Sequence, residues 1–217
     1  MRLVVAFDWN GTLLDDLERA VAALGVVMER RGMEALDVGA FREVFHLPMN
    51  SLLTTLGFKP ADLEAADDEW NTELQLRPAS FAPGALDVLQ QLRSAAVSVG
   101  VITAASRHTV DCDLEHMGVD FPFDFVVAPS PNKADSLRKV AATADHLIYV
   151  GDTEYDMHAT REAGAVPIGY GAGYRPADHL IRAGAHVVVD DFADLADAIA
   201  IQHAPDRRRR DGRTSDD

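Results

Sequence analysis

Four side chains that could do chemistry lie where the sequence predicts strand ends or helix starts. Asp8 follows the apolar run Leu3–Phe7, and Thr103 follows a second apolar run. Lys133 lies at the start of the helix predicted after the third strand, and Asp152 ends the fourth strand. Open α/β sheets bind ligands beyond the carboxyl ends of their strands. The pattern therefore predicts that these side chains face one ligand site.

Two carboxylates, Asp152 and Asp156, lie one helical turn apart behind the fourth strand. With Asp8 nearby, three acidic groups repel one another unless a cation holds them. Oxygen ligands without a cluster of histidines or cysteines favour Mg²⁺, which also binds substrate phosphates. The sequence thus predicts a Mg²⁺ site. The alternative is that Asp152 and Asp156 only begin a helix, where acidic residues are favourable.

Lys133 is placed where an isolated cation is unfavourable. Ser130 and Pro131 are typical of an N-cap and a first helical residue, so Lys133 falls in the first helical turn. The positive end of the helix dipole repels a cation there unless anions lie in front of it. Lysine is also rare in this chain, which has only Lys59, Lys133 and Lys139. The position predicts partner anions, with a solvent-exposed lysine as the alternative.

Residues 7–13, Phe-Asp-Trp-Asn-Gly-Thr-Leu, resemble the first motif of the haloacid dehalogenase-like (HAD) hydrolases, where Asp-x-Asp-Gly-Thr/Val is usual. The order of Thr103, Lys133 and Asp152 behind this motif also matches that superfamily, and the resemblance covers residues 3–175. Within it, the chain resembles the phosphoglycolate-phosphatase-like branch. Asn10 departs from the motif, because it replaces the second acidic residue with an amide.

The resemblance implies a mechanism and a set of metal ligands. Asp8 would be the nucleophile and form an aspartyl-phosphate, and Lys133 would bridge this carboxylate and the phosphoryl group. The Mg²⁺ ligands would be the side chains of Asp8 and Asp152 and the backbone carbonyl of Asn10, with Asp156 behind them or as a weaker ligand. In the family, the second aspartate protonates the leaving oxygen and then activates water. The amide of Asn10 can do neither.

A phosphate site is predicted at Trp9, Asn10, Thr103, Ala104 and Lys133. The hydroxyl of Thr103 and the backbone N–H of Ala104 are suited to hold phosphate oxygens. The family often has a polar residue where Ala104 stands. The side chain of Trp9 is explained equally well by packing.

Residues 45–50, Phe-His-Leu-Pro-Met-Asn, resemble a Gly-Leu-Pro stretch of the phosphoglycolate-phosphatase-like branch, with His46 in place of the glycine. His46 and Asn50 are therefore candidates for substrate contact, and a histidine held only within its own segment is the alternative for His46. Asp15, Asp16 and His46 are candidates to replace the acid or base lost at Asn10.

The elements needed to position these residues follow a clear order. Regular βα alternation from residue 82 predicts an α/β fold with a parallel sheet, and the resemblance implies a Rossmann-like doubly wound core. Residues 15–81 show helical periodicity and no strand, which matches a small α-helical cap inserted after the first strand; an independent helical domain is the alternative. The predicted core is residues 1–14 and 82–203. The arginine-rich residues 204–217 are predicted to be a disordered tail.

Composition narrows the classes of function. The 217 residues are 47% hydrophobic and 25% charged, as in ordinary globular proteins. A net charge of −15 argues against a nucleic-acid partner or an acidic membrane. The single cysteine, Cys112, excludes an internal disulfide, and the first apolar run is too short for a signal peptide or membrane span. A cytoplasmic location is predicted.

These observations predict a Mg²⁺-dependent phosphatase that acts on a small phosphorylated metabolite through Asp8. Because of Asn10, a non-catalytic or weakly active phosphate-binding homologue is an alternative. A dehalogenase would need no metal, which disagrees with Asp152 and Asp156. Cleavage of a C–P bond would need a lysine in the cap to form a Schiff base, and Lys59 is the only lysine there.

Overall fold

One parallel sheet brings the predicted site residues together. In the computed structural model, which describes residues 2–203, the strands are β1 (Leu3–Phe7), β2 (Ser98–Ile102), β3 (Phe125–Val127), β4 (His146–Gly151), β5 (Val166–Tyr170) and β6 (Val187–Val189). They are all parallel, in the order β3-β2-β1-β4-β5-β6. This confirms the predicted doubly wound α/β fold. Its ligand crevice is expected between β1 and β4, where the strand order reverses.

The helices of the described residues follow the predicted order. Between β1 and β2 lie α1 (Leu17–Glu29), α2 (Val38–Val44), α3 (Met49–Thr55), α4 (Leu63–Gln75) and α5 (Ala85–Ser94). The remaining helices are α6 (Arg107–Met117), α7 (Lys133–Ala141), α8 (Glu154–Glu162), α9 (Ala177–Arg182) and α10 (Phe192–His203). The sequence does not predict α9, because six residues behind a proline are too few to show helical periodicity.

Helices cover both faces of the sheet, which explains why β1 is apolar throughout. Val5 and Phe7 point into a cluster with α5, α6 and α10, whereas Val4 and Ala6 pack against α7 and α8 on the other face. All five residues of β1 are buried. A strand buried on both faces shows a continuous apolar run rather than alternation.

A second hydrophobic cluster holds α1–α4 together. Its largest buried members include Phe41, Leu52 and Trp70, and the core contributes Tyr174 to it. An isolated antiparallel bridge between Leu14 and Phe81 joins the two points where the chain leaves and re-enters the sheet region. The division into a core of residues 1–14 and 82–203 and a helical cap of residues 15–81 stays a proposal, which the two clusters support.

Two sequence predictions concern the C-terminal tail and the absence of a membrane span. The predicted disordered tail, residues 204–217, lies outside the described residues. Within residues 2–203, every helix is too short or too polar to cross a membrane.

Candidate active site

The turn behind β1 places Asp8 at the carboxyl end of the strand, where it is largely buried and lines a cavity. The backbone N–H of Asp8 donates to the carbonyl of Val150 in β4, and its Oδ1 accepts from the N–H of Trp9 at 2.8 Å. The turn needs Gly11, which has φ +70°, because a Cβ there would lie 2.2 Å from Oδ2 of Asp152. This close approach of backbone to carboxylate explains the glycine of the motif.

Lys133 is buried between two carboxylates. Its Nζ lies 2.5 Å from Oδ2 of Asp8 and 2.5 Å from Oδ1 of Asp156. The N-cap of α7 is Asn132, whose side chain accepts from the N–H of Asp135, so the sequence prediction of Ser130 as N-cap is wrong. The shift leaves Lys133 in the first turn. The sequence predicts partner anions for Lys133, and the structure shows that they are Asp8 and Asp156.

Asp156 uses both of its oxygens within the protein. Oδ1 binds Lys133, and Oδ2 accepts from the backbone N–H of Thr153 at 3.0 Å and from its hydroxyl at 2.5 Å. Thr153 and Asp156 thereby form a capping box at the start of α8. Asp156 is thus placed to orient Lys133 rather than to reach a substrate.

Asp152 completes an acidic cluster at the end of β4. Oδ1 accepts from the hydroxyl of Thr12 at 3.0 Å, and Oδ2 accepts from the N–H of Tyr174 at 2.8 Å. One ligand oxygen from each of Asp8, Asp152 and Asp156 lies within 4.8 Å of the others, which is a spacing that could hold a metal ion.

Buried charge in this cluster is unbalanced. Among the described residues the cluster has three carboxyl groups and the ammonium of Lys133, so two negative charges would lack a partner if all three carboxyls were ionised. Burial raises the pKa of Asp8 to about 6 although Lys133 opposes the shift, and burial raises the pKa of Asp152 well above its usual range. For Lys133 burial acts to lower the pKa, but the carboxylates of Asp156 and Asp8 outweigh it and the pKa is raised. An all-oxygen donor set with this excess charge fits a divalent cation.

The side chain of Asn10 is held by Asp16. Nδ2 of Asn10 donates to Oδ2 of Asp16 at 2.7 Å, and the N–H of Gly11 donates to Oδ1 at 2.8 Å. The Tyr174 hydroxyl donates to the same Oδ1 at 3.0 Å, and Arg19 lies 3.4 Å from Oδ2. Because a carboxylate only accepts, the amide nitrogen must face Asp16 and the amide oxygen is left for the cavity.

Asp16 is a sequence candidate to replace the lost acid or base, but its hydrogen bond with Asn10 is not indicated by the sequence. It is buried, and it contacts Asn10 instead of lining the cavity. Asp15, the other acid considered next to it, is exposed. The contact with Tyr174 spans 158 positions of the chain, so no local pattern indicates it.

Trp9, which the sequence predicts in the phosphate site, has both of its N–H groups bound to carboxylates of the protein. Its N–H donates to Asp8, as described above, and its side chain is fully buried between Phe81 and Phe123. The indole Nε1 donates to Oδ2 of Asp113 at 2.9 Å, and Asp113 pairs with Arg19 at 2.6 Å. Packing thus accounts for the Trp9 side chain, and the Arg19–Asp113 pair ties α1 to α6.

Thr103 and Ala104 lie at the end of β2, on the cavity wall. Thr103 is buried, and its hydroxyl oxygen accepts from the N–H of Ala105 at 3.1 Å. Ser106 begins α6 as its N-cap, with its hydroxyl accepting from the N–H of Thr109. The structure thus brings Thr103 and Ala104 to the same opening as Asp8.

A cavity of about 320 Å³ lies between the strand ends and the helical insertion. It is lined by residues of both parts of the chain: Asp8, Asn10, Phe45, Leu47, Pro48, Met49, Asp67, Trp70, Asn71, Leu74, Thr103, Ala104, Ala105, Thr109, Ser130, Pro131, Asp152, Thr153, Tyr155 and Tyr174.

His46 and Asn50, the predicted substrate contacts, do not line this cavity. The ring nitrogens of His46 lie 2.8 Å from the carbonyl of Val44 and 3.1 Å from the hydroxyl of Ser51. Asn50 is exposed. The stretch singled out in the sequence does reach the cavity, but through its apolar members, because His46 is held within its own segment.

Fold and site together define the class of this protein. A doubly wound parallel sheet carries a helical insertion behind its first strand. A cluster of carboxylates with a buried lysine lies at the C-terminal ends of the strands. The model of the family described as haloacid dehalogenase-like hydrolase matches residues 5–169. The chain belongs to this family of hydrolases.

Relatives and solved structures agree with this assignment. Phosphoglycolate phosphatase of Rhodospirillum rubrum is 30% identical, covering 91% of this chain and 90% of that protein. The phosphoglycolate phosphatase of Synechococcus elongatus is 24% identical over 90% of this chain and 96% of that protein. A haloacid dehalogenase-like hydrolase of Streptococcus pneumoniae has the same fold, with a TM-score of 0.79 at 19% identity over 91% of this chain and 98% of that one.

Proposed function

We propose that this protein is a Mg²⁺-dependent phosphatase that hydrolyses a small phosphorylated metabolite through an aspartyl-phosphate on Asp8. The observation that carries the proposal is the position of Asp8, which lines the cavity while Lys133 holds its Oδ2 at 2.5 Å. The names of the relatives support phosphate-ester hydrolysis. Asp8, Asp152 and the backbone carbonyl of Asn10 would hold the metal, which when bound neutralises the carboxylates and polarises the phosphoryl oxygens.

The remaining steps follow from the side chains of this chain. Asp8 attacks phosphorus in line, and the leaving oxygen departs from the opposite side of the phosphorus with the electron pair of the broken bond. The ammonium of Lys133, the hydroxyl of Thr103 and the N–H of Ala104 stabilise charge on the transferring group. Asp156 keeps Lys133 in place through its 2.5 Å contact. Water then attacks the phosphorus of the acylphosphate and returns Asp8 to its carboxylate.

Asn10 limits both halves of this reaction. Its amide nitrogen is taken by Asp16, so the amide oxygen can orient a water molecule but can neither give nor take a proton. Alkyl phosphates should therefore react slowly, since an alkoxide leaves poorly without protonation. Aryl or acyl phosphates need less help in the first step, and the aspartyl-phosphate should accumulate because its hydrolysis lacks a base.

Restoring the acid should speed the reaction. We expect Asn10→Asp to raise the turnover of an alkyl phosphate at least about tenfold, because acid–base help is typically worth about 10²–10⁴-fold. The new carboxylate would face Asp16, and two carboxylates in contact share a proton, which suits a general acid. Steady-state rates on a matched alkyl and aryl phosphate pair measure the effect.

The exchange variant Asn10→Asp with Asp16→Asn is the control for charge repulsion. It keeps one carboxylate and one amide at positions 10 and 16. We expect it to retain the faster turnover of the alkyl phosphate even if Asn10→Asp alone is less stable. If both variants fold, bind Mg²⁺ and are no faster than the original chain, another residue already supplies the proton.

Metal dependence is the test of the proposed function. We expect EDTA to stop phosphate release and Mg²⁺ to restore it. Because Mg²⁺ would relieve repulsion among buried carboxylates, adding it at about 100 times its Kd should raise the free energy of unfolding by about 2.7 kcal/mol. Thermal unfolding of the original chain and of Asp152→Asn, in which the shift should shrink, measures this. Unchanged hydrolysis in EDTA would contradict the proposal.

One alternative loses its support in the structure. A C–P hydrolase would need Lys59 at the reacting centre. Lys59 is exposed and does not line the cavity.

A further inference from the structure

Within residues 2–203, no basic side chain lines the cavity. Among its lining residues, the charged side chains are Asp8, Asp67 and Asp152. Lys133 is fully buried below Asp8 and is already paired. The cap contributes one acidic residue and an otherwise mostly apolar wall, made by Phe45, Leu47, Pro48, Met49, Trp70 and Leu74. Lys133 and a bound Mg²⁺ would contact the phosphoryl oxygens, but the described lining residues offer no cation to a second anionic group on the substrate.

The polar atoms of three aromatic lining residues are satisfied within the protein. Nε1 of Trp70 donates to the carbonyl of Ala20 at 3.2 Å, and the hydroxyl of Tyr174 donates to Asp16. The hydroxyl of Tyr155 donates to the carbonyl of Pro131 at 3.4 Å. What these residues can still offer a ligand is therefore ring surface, which favours contact with an apolar or aromatic group.

The polar groups of the cap wall are acceptors. Asn71 donates its Nδ2 to the carbonyl and to Oδ1 of Asp67, at 2.9 and 3.1 Å. Asp67 and Asn71 both line the cavity, and because Asn71 Nδ2 donates to Asp67, the atoms this pair can offer a ligand are acceptors. A substrate group at this end would have to donate a hydrogen bond, as a hydroxyl or an ammonium does.

Asn10 gives an independent constraint on the same substrate. Without a proton donor for the leaving oxygen, the reaction favours a leaving group that is stable as an anion, such as a phenolate. The volume agrees with this, since a cavity of about 150 Å³ accommodates benzene and this one measures about 320 Å³. It has room for a phosphoryl group and one aromatic ring.

We propose that the substrate is an aryl phosphate whose ring carries a hydrogen-bond donor and no second anionic group. The inference rests on the proposed phosphatase activity, and it sets this chain apart from the relatives named for phosphoglycolate. A buried carboxylate without a cation is costly, and here it would also face Asp67. In the reaction, the bond between phosphorus and the phenolic oxygen breaks, the phenolate leaves with the electron pair, and solvent protonates it.

The first experiment compares substrates. We expect kcat/KM for phenyl phosphate to exceed that for 2-phosphoglycolate by roughly 100-fold, the scale on which an apolar pocket rejects an added polar group. Between two aryl phosphates with similar leaving groups, the phosphates of tyramine and of 3-(4-hydroxyphenyl)propionate, the one with the ammonium tail should be better by at least about tenfold.

The second experiment tests whether Asp67 causes the preference for the substrate with an ammonium group. Asp67→Asn should bring the ratio of kcat/KM for these two aryl phosphates closer to one, because it removes the negative charge that their ammonium or carboxylate substituent would approach. Asp68→Asn removes the same charge from the exposed neighbouring position and should keep the original ratio.

The outcomes separate this inference from the proposed function. Preference for 2-phosphoglycolate or for the anionic tail, with active enzyme, would overturn the inference alone. Failure to hydrolyse phenyl phosphate, acetyl phosphate and 2-phosphoglycolate with Mg²⁺ present would overturn the proposed function, and the inference with it.

Discussion

Asp8→Asn should be folded and should lose phosphate release by at least about 10⁴-fold, as expected when a covalent nucleophile is removed. The amide cannot attack phosphorus, and no other carboxylate among residues 2–203 combines a cavity position with the contact to Lys133. Stability should not fall, because the exchange removes one of three buried carboxylates that repel one another. Phosphate release and thermal unfolding of the purified variant measure the two effects.

Asp87→Asn is the matched control, since Asp87 is exposed on α5. It should keep the original rate and the original melting temperature. Substantial activity in Asp8→Asn would mean that water attacks the substrate directly.

Lys133→Met should damage both rate and stability. The variant removes the one ammonium in the cluster and leaves Asp8 and Asp156 facing each other without a cation. Breaking a buried ion pair by removing one partner costs about 3–5 kcal/mol. The loss of charge stabilisation should lower kcat by about 10²–10³-fold. Denaturant unfolding in EDTA and steady-state kinetics with Mg²⁺ measure these losses.

Lys139→Met makes the same exchange on the exposed side of α7. We expect little change in either quantity there. If Lys133→Met were as stable as Lys139→Met, the buried carboxylates would have to be protonated, and the charge balance described for this cluster would be wrong.

The sheet was predictable because its signals are local. Each strand is a short, mostly apolar run, and Asp8, Thr103 and Asp152 each stand directly behind one, so the same pattern predicts the strand ends and these site residues. The sequence predicts the wrong N-cap for α7 because Ser130, Pro131 and Asn132 all favour the start of a helix. Only the fold decides that Asn132 caps it.

The parts that sequence reasoning missed depend on distant contacts. Asp16 gains its role from Asn10 and from Tyr174, and Tyr174 reaches the site through a loop after β5. His46 looked suitable for substrate contact by its chemistry, but the direction of its side chain is set by Val44 and Ser51. Residue type can be read from a sequence, whereas the direction in which a side chain points cannot.

The central claim is that Asp8 becomes phosphorylated during turnover. Mixing the enzyme with phenyl phosphate and Mg²⁺, quenching in acid within the first turnovers and mapping peptides by mass spectrometry tests it directly. We predict a phosphoryl group on the peptide that contains Asp8, labile to hydroxylamine, accumulating in the original chain because Asn10 slows its hydrolysis, and absent from Asp8→Asn. Steady release of phosphate with no initial burst of phenol and no phosphorylated peptide would contradict the account.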